Sequence, residues 1–378
     1  MEVVKPVQRC PLCSCFSHVP GIQSTRREWN NASSDWLVMV PRIHIYRQVL
    51  TAGRYEAMLD YSIEGSVIHI ETDALQAQVH TRGYVSGVAA GTLMDKATGA
   101  RDLGFGLSIV DFLLEEGEDG PDEPYSYKWG DMAHGHIPKR YVELPQICTR
   151  ARKLPFQVVK SAEPGSTGGP SQRFIAVRHW YNWTIATRGR KPGSLWEQVL
   201  VFPEDTRYFF SVDRVTSVNA VSNLALRVDM PGHLKHDRGD SFSQVYLSYH
   251  GVIPNTEFLE DFFPDTRFRY VRGRDPLPER MVRAYKTSTG PWLAGMTLNP
   301  GDVSEAWCHQ RGYVCFIQEV GRGDVQAGDR FSAAYIIGFF DSIQEMEDTY
   351  DQHRGCSDIL FAPSFDTAET FSWSRNGF

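Results

Sequence analysis

Residues 305–319 read EAWCHQRGYVCFIQE, from Glu305 to Glu319. Alternate residues of a β-strand project to opposite faces. With that period, one face carries Trp307, His309, Arg311, Tyr313, Cys315, Ile317 and Glu319. The other carries Cys308, Gln310, Gly312, Val314, Phe316 and Gln318, and turns apolar toward its end. Solvated strand faces are usually built from Lys, Glu, Thr and Ser. An imidazole, a guanidinium and a phenol on one side instead suit a wall that binds a sugar, with aromatic planes for the ring and an Arg for an anionic substituent. The plainer reading is a half-buried strand whose Arg is salt-bridged and whose His is satisfied by backbone.

The surrounding chain fits a globular protein with a sizeable core: of 378 residues, 42% are hydrophobic, 12% aromatic and 22% charged. A net charge of −7 argues against a general nucleic-acid or anionic-membrane partner. No apolar run approaches the ~20 residues that span a bilayer. Trp36–Pro41 is too short and too late for an ordinary signal peptide. Seven cysteines, an odd number, fit a reducing compartment better than a disulfide framework, so the expectation is cytoplasmic. Cys10 and Cys13 lack the second ligand pair that a zinc site needs.

Residues 1–51 show little periodicity and read as an irregular N-terminal extension. Residues 52–378 read as one domain. Alternation starts at Val67–Asp73 and Leu75–Thr81, and strands follow at Phe174–Thr184, Leu195–Phe202, Tyr208–Thr216, Leu224–Asp229, Phe242–Tyr249, Trp292–Thr297, Tyr313–Ile317 and Phe331–Phe339. Helical patterns are confined to Pro278–Lys286 and Ser342–His353. Many strands with few short helices predict an all-β fold, a large antiparallel β-sandwich.

Three segments carry a resemblance: the turn Asp95-Lys-Ala-Thr-Gly99, the pair Trp196-Glu-Gln-Val-Leu-Val with Arg207–Thr216, and Tyr313–Glu319 followed by Val325-Gln-Ala-Gly-Asp-Arg330 and Phe331–Phe339. In this order, over roughly residues 61–340, the chain resembles the galactose-mutarotase-like supersandwich of sugar epimerases, polysaccharide lyases and glycosidases. The resemblance implies a carbohydrate partner. In epimerases of that family, a Glu on the terminal strand is the base and a central His the acid. Glu319 matches the first, and His250 and His233 compete for the second.

Beyond the resemblance, the residue types suit β-elimination beside a uronic acid. The proton next to the carboxylate is weakly acidic, so that carboxylate must be neutralised while a Tyr or His takes the proton and another protonates the leaving oxygen. Tyr249 or Tyr313 with His250 or His309 are the acid–base candidates, and Arg311 with Asn182 the carboxylate binders. Arg178, Trp180, His134, His136, Tyr141, His233 and Trp307 are further substrate-binding candidates. The predicted partner is therefore an anionic carbohydrate. No cofactor is called for; a divalent metal would use His134 with His136, or His233 with His236. The alternatives are a glycosidase using Glu197 or Glu143 with Glu319, an aldose epimerase, and a non-catalytic module stacking sugars on Trp180, Trp307 and Tyr313.

Overall fold

The computed structural model describes residues 58–82, 87–104, 106–107, 109–117, 139–144, 153–161, 173–234, 241–263, 266–287, 290–310, 312–321, 323–362 and 364–375. The N-terminal extension read from the sequence lies outside them.

The described chain opens with β1 (Asp60–Glu64), β2 (Val67–Glu71), β3 (Leu75–His80), β4 (Val88–Ala89), β5 (Met94–Asp95) and β6 (Gly106–Leu107), which form one small sheet. Alternation in β2 and β3 does what it predicts: Ile68, Ile70, Leu75, Ala77 and Val79 are buried, and the residues between them are half-buried. The Asp95–Gly99 turn is real. Gly99 adopts φ +74°, where a side chain is strained, and its N–H donates to Asp95 O at 2.8 Å.

Next come β7 (Ile109–Glu116), β8 (Lys139–Glu143), β9 (Phe156–Lys160), β10 (Phe174–Asn182), β11 (Leu195–Pro203), β12 (Tyr208–Thr216) and β13 (Ala225–Leu234). They are followed by β14 (Phe242–Leu247), β15 (Gly251–Pro254), β16 (Arg269–Val271), β17 (Val282–Thr287), β18 (Trp292–Thr297), β19 (Val303–Gln310), β20 (Val314–Val320) and β21 (Arg330–Phe340). Helix α1 (Ile343–His353) and the hairpin β22 (Asp358–Ala362) and β23 (Thr370–Ser374) close the chain.

A nine-stranded sheet runs β15-β14-β17-β18-β21-β12-β11-β10-β9, and a six-stranded sheet runs β16-β19-β20-β13-β7-β8. Pairing between neighbours in both is antiparallel. The inner faces meet in one core that includes Val177, Leu200, Phe209 and Tyr335 from the larger sheet and Val228, Cys308 and Phe316 from the smaller. The opposite face of the nine-stranded sheet buries Phe174, Val201, Phe210 and Ile336 beneath α1 and the β22–β23 hairpin. Covered on both faces, β11, β12 and β21 are buried almost throughout instead of alternating between buried and exposed. The expected all-β sandwich is what forms.

Ser342 caps α1, accepting from Glu345 N at 3.1 Å, and Met346 and Tyr350 face the sheet. The helix expected at Pro278–Lys286 is instead strand β17. Val282 and Ala284 face one core and Arg283 and Tyr285 the other side, a period of two that burial on both faces hides from a helical reading. Residues 305–319 are not one strand either. They form the β19–β20 hairpin, whose strands meet at the Gln310–Val314 pair.

Candidate functional site

Turning the segment into a hairpin leaves its face intact. The register joins Gln310 to Val314, so Glu305, Trp307 and His309 lie directly opposite Glu319, Ile317 and Cys315. Opposite residues of an antiparallel pair share a face, and here an odd-length connection pairs odd positions with odd. Trp307, Cys315 and Ile317 pack together with Tyr313 against them, apart from the sandwich core. This face, turned away from the nine-stranded sheet, is the candidate site.

Neighbouring strands complete it. On β13, Arg227 pairs with Glu319 and His233 with Cys315. On the far side of Arg227 lies Phe112 of β7, stacked on Tyr141 of β8 with ring centroids 5.9 Å apart. The Arg227 guanidinium sits 5.1 Å from the Trp307 ring centroid.

Four charges form a buried chain across the sheet. Lys139 Nζ lies 3.2 Å from Glu305 Oε2 and 2.8 Å from Glu319 Oε2, and Arg227 Nε donates to Glu319 Oε1 at 3.1 Å. Burial raises the Glu319 pKa, but Lys139 and Arg227 outweigh it and hold the carboxyl below its ordinary value. Lys139 shows the mirror image: burial lowers its pKa, and Glu319 and Glu305 carry it above the ordinary lysine value. A cavity of about 180 Å³ bordered by Lys139, Glu305, Glu116 and Arg272 opens at this end of the face.

The other end is built by a bulge. Between Asp229 and Gly232, β13 advances three residues while β20 advances one, so Met230 and Pro231 loop out of register. Their peptide bond is cis. Four residues along a regular strand span about 13 Å, yet Asp229 Oδ2 lies 2.6 Å from His233 Nε2. The Met230 carbonyl, removed from the ladder, accepts from Arg283 Nη2 at 2.6 Å, and Arg283 Nη1 donates to Ile317 O at 2.7 Å. The core arginine of β17 thus clamps the bulge from behind.

Of the residues the sequence nominates, His233, Trp307, His309, Tyr313, Glu319 and Tyr141 meet on this face. Tyr249 and His250 do not. β14 ends at Leu247 and they sit in the following turn, where His250 is exposed against the Phe268 ring and Tyr249 OH donates to Phe268 O at 3.5 Å. Arg178 and Trp180 belong to β10 of the other sheet; Arg178 pairs with Glu197 and covers the Trp180 ring at 5.1 Å. Asn182, at the exposed end of β10, donates to Gly193 O at 3.3 Å. Arg311, His134, His136 and His236 lie outside the described residues.

The glycosidase pairs also part. Glu197 is held by Arg178 on the other sheet, and the Glu143 carboxylate accepts from Gly193 N at 2.7 Å and Ser194 N at 3.1 Å. Sequence reasoning missed Lys139, Arg227, Asp229 and Glu305. In β13, Arg227 and Asp229 alternate with Leu226, Val228 and Met230, a signal of one charged face that could have found two of them. Among the described residues no cluster of three or more His, Cys, Asp or Glu side chains could hold a metal ion.

Fold and site together define a large antiparallel β-sandwich protein with a buried, charged outer face on its smaller sheet. No family model and no curated protein matches the chain. Solved structures similar to it include a galactose mutarotase-like protein from Clostridium acetobutylicum, at 9% identity and a TM-score of 0.43, covering 76% of this chain and 99% of that one. An α-mannosidase from Enterococcus faecalis follows at 10% identity and 0.41, covering 84% of this chain and 34% of that one. An α-galactosidase from Lactobacillus brevis stands at 10% and 0.38, covering 77% and 43%. The chain thus spans less than half the length of each of these two glycosidases.

Proposed function

We propose that the chain is a carbohydrate-active enzyme that cleaves an acidic sugar chain by β-elimination on the outer face of the six-stranded sheet. One observation carries the preference for elimination. The face gathers an imidazole and a phenol, His309 and Tyr313, while Asp229, Glu305 and Glu319 are each held by a cationic partner. Hydrolysis by paired carboxylates needs one of them protonated as the acid, and Lys139 and Arg227 oppose that at Glu319. The same pairing opposes Glu319 as an epimerase base.

In this reading His309 and Tyr313 are the acid–base pair, Trp307 backs the sugar wall, and Arg311 keeps the carboxylate-binding role its sequence position suggests. One group takes the proton beside the uronate carboxylate and the other protonates the departing glycosidic oxygen. Lys139 and Arg227 fix the surrounding field and do not themselves transfer protons.

The test is a screen of uronic-acid glycans for the ultraviolet absorbance of an unsaturated product. On the responsive glycan, His309→Ala and Tyr313→Phe should each lower kcat by about 10²–10⁴-fold. No absorbance and no product on any uronate glycan would refute the reading. Anomer exchange of a free sugar, seen by NMR without cleavage, would replace it with an epimerase.

A further inference from the structure

The bulge in β13 assembles a group that the sugar chemistry leaves unused. Cys315 Sγ lies 3.5 Å from His233 Nδ1, and the opposite ring nitrogen, Nε2, lies 2.6 Å from Asp229 Oδ2. Thiol, imidazole and carboxylate are thus joined in series. The imidazole is addressed by sulfur at one nitrogen and oriented by an anion at the other. The described free thiols are Cys308, Cys315 and Cys356. Cys308 faces the sandwich core, where burial pushes its pKa well up. Cys356 packs in the second core, and burial raises its pKa too. Of these three, Cys315 is the one whose sulfur faces a histidine.

We propose that Cys315, His233 and Asp229 form a nucleophilic triad that accepts an acyl group from an ester. The inference stands apart from the elimination reading and does not require it. Three features support it. First, the order nucleophile, base, orienter is the geometric signature of such sites, whatever the fold. Second, the orienting contact is built at a structural expense: two residues are looped out of β13, and the Met230 carbonyl, removed from the ladder, is clamped by Arg283. Third, burial alone would lower the His233 pKa, yet Cys315 and Asp229 outweigh it and hold the ring well above its ordinary value, so the ring carries the proton that a leaving alkoxide needs.

The charged groups around the pair are mostly matched to one another. On β13 these are Arg227 and Asp229, on β20 Glu319, on β19 Glu305 and His309, and on β8 Lys139, with Arg283 of β17 approaching from the core side. Lys139 and Arg227 are taken up by Glu305 and Glu319. That leaves Asp229 as the anion in direct contact with the ring.

The chemistry balances without a further reagent. The Cys315 thiolate adds to the ester carbonyl carbon, the carbon–oxygen bond to the alcohol breaks, and His233 Nδ1 gives its proton to the departing alkoxide. Water then adds to the thioester carbonyl and passes a proton to Nδ1, the carbon–sulfur bond breaks, and the thiolate returns. The net change is ester plus water to acid plus alcohol. An alkoxide leaving group needs that proton, and the imidazolium holds one beside the sulfur. A disulfide would release a thiolate and need none, which is why an ester is favoured over thiol exchange.

The probe is p-nitrophenyl acetate with the full chain. One acetyl group should appear on the peptide containing Cys315, with a matching burst of nitrophenolate. His233→Asn should slow acetylation by about 10²-fold or more, and Asp229→Asn should slow it less. Alkylation of Cys315 by iodoacetamide at a fixed pH should also be slowed by His233→Asn, because the ring lies against the sulfur. Absence of acetyl on Cys315 in the wild-type chain overturns the proposal. So does a Cys315 alkylation rate that His233→Asn leaves unchanged. If circular dichroism shows the variant unfolded, the wild-type peptide map and nitrophenolate burst decide alone.

Discussion

Replacing Glu319 with Gln tests whether the charged chain across the six-stranded sheet holds the site together. Glu319 is fully buried and serves two cations, Lys139 and Arg227. Breaking a buried pair from one side costs about 3–5 kcal/mol, because a charge is left without its partner. Lys139 keeps Glu305 at 3.2 Å, whereas Arg227 loses the carboxylate that its Nε meets at 3.1 Å. The expected cost therefore sits at the lower end, about 3 kcal/mol. With m near 3 kcal/mol/M in urea, the unfolding midpoint followed by tryptophan fluorescence at pH 7 should fall by about 1 M. Adding Arg227→Met to Glu319→Gln should recover part of the loss, with a coupling energy on the order of 2 kcal/mol.

The same carboxylate predicts a pH dependence. Its folded pKa is depressed below the ordinary value of about 4.3. Its contribution is then complete above that value and disappears as pH falls through the folded pKa. Glu319→Gln should lose less stability in acid than the wild-type chain, the remainder coming from groups such as Asp95 and Glu71, whose pKa values are also depressed. A midpoint shift below about 0.3 M with no coupling to Arg227 would refute the reasoning.

Asp213 should behave in the opposite sense. Burial pushes its pKa up to about 7, against donation from Trp196 and Gln198 to its Oδ1. Wild-type stability should fall between about pH 4 and 7 as the unfolded state ionises first, and Asp213→Asn should reduce that fall in urea midpoints measured at pH 5 and 8, leaving the part owed to Asp102, whose pKa burial raises to about 6. Gly338→Ala should destabilise by at least about 1–3 kcal/mol, because its Cβ would lie 2.4 Å from Arg207 O and Tyr208 Cα; thermal denaturation reads this directly. His250→Ala and Asn182→Ala, at exposed positions away from the site, should change stability by no more than about 0.5 kcal/mol and leave turnover unaltered.

How much of this was legible in the residues depends on how local each feature is. Strand parity belongs to the backbone, and because three residues connect Gln310 to Val314, EAWCHQRGYVCFIQE keeps its shared face even though it is a hairpin and not a strand. The same holds for the alternation of β2 and β3, the Asp95–Gly99 turn, and the Ser342 cap of α1. Each needs only neighbours in the chain. Pro278–Lys286 misled because burial on both faces of β17 erased the contrast from which a period is read. Tyr249 and His250 misled because β14 stops two residues before Tyr249, and no local pattern marks that end.

The chain by itself determined an all-β sandwich and one wall of the site. The tertiary structure alone decided which charges meet there. Lys139 reaches Glu319, and Arg227 reaches it from another strand, through the register of a six-stranded sheet whose members are far apart in sequence. Asp229 and His233 meet because a bulge lifts two residues out of that register, and Cys315 faces them from the next strand. A pairing register fixes partners across the sheet through hydrogen bonds summed over whole strands, and no short stretch of residues encodes that sum.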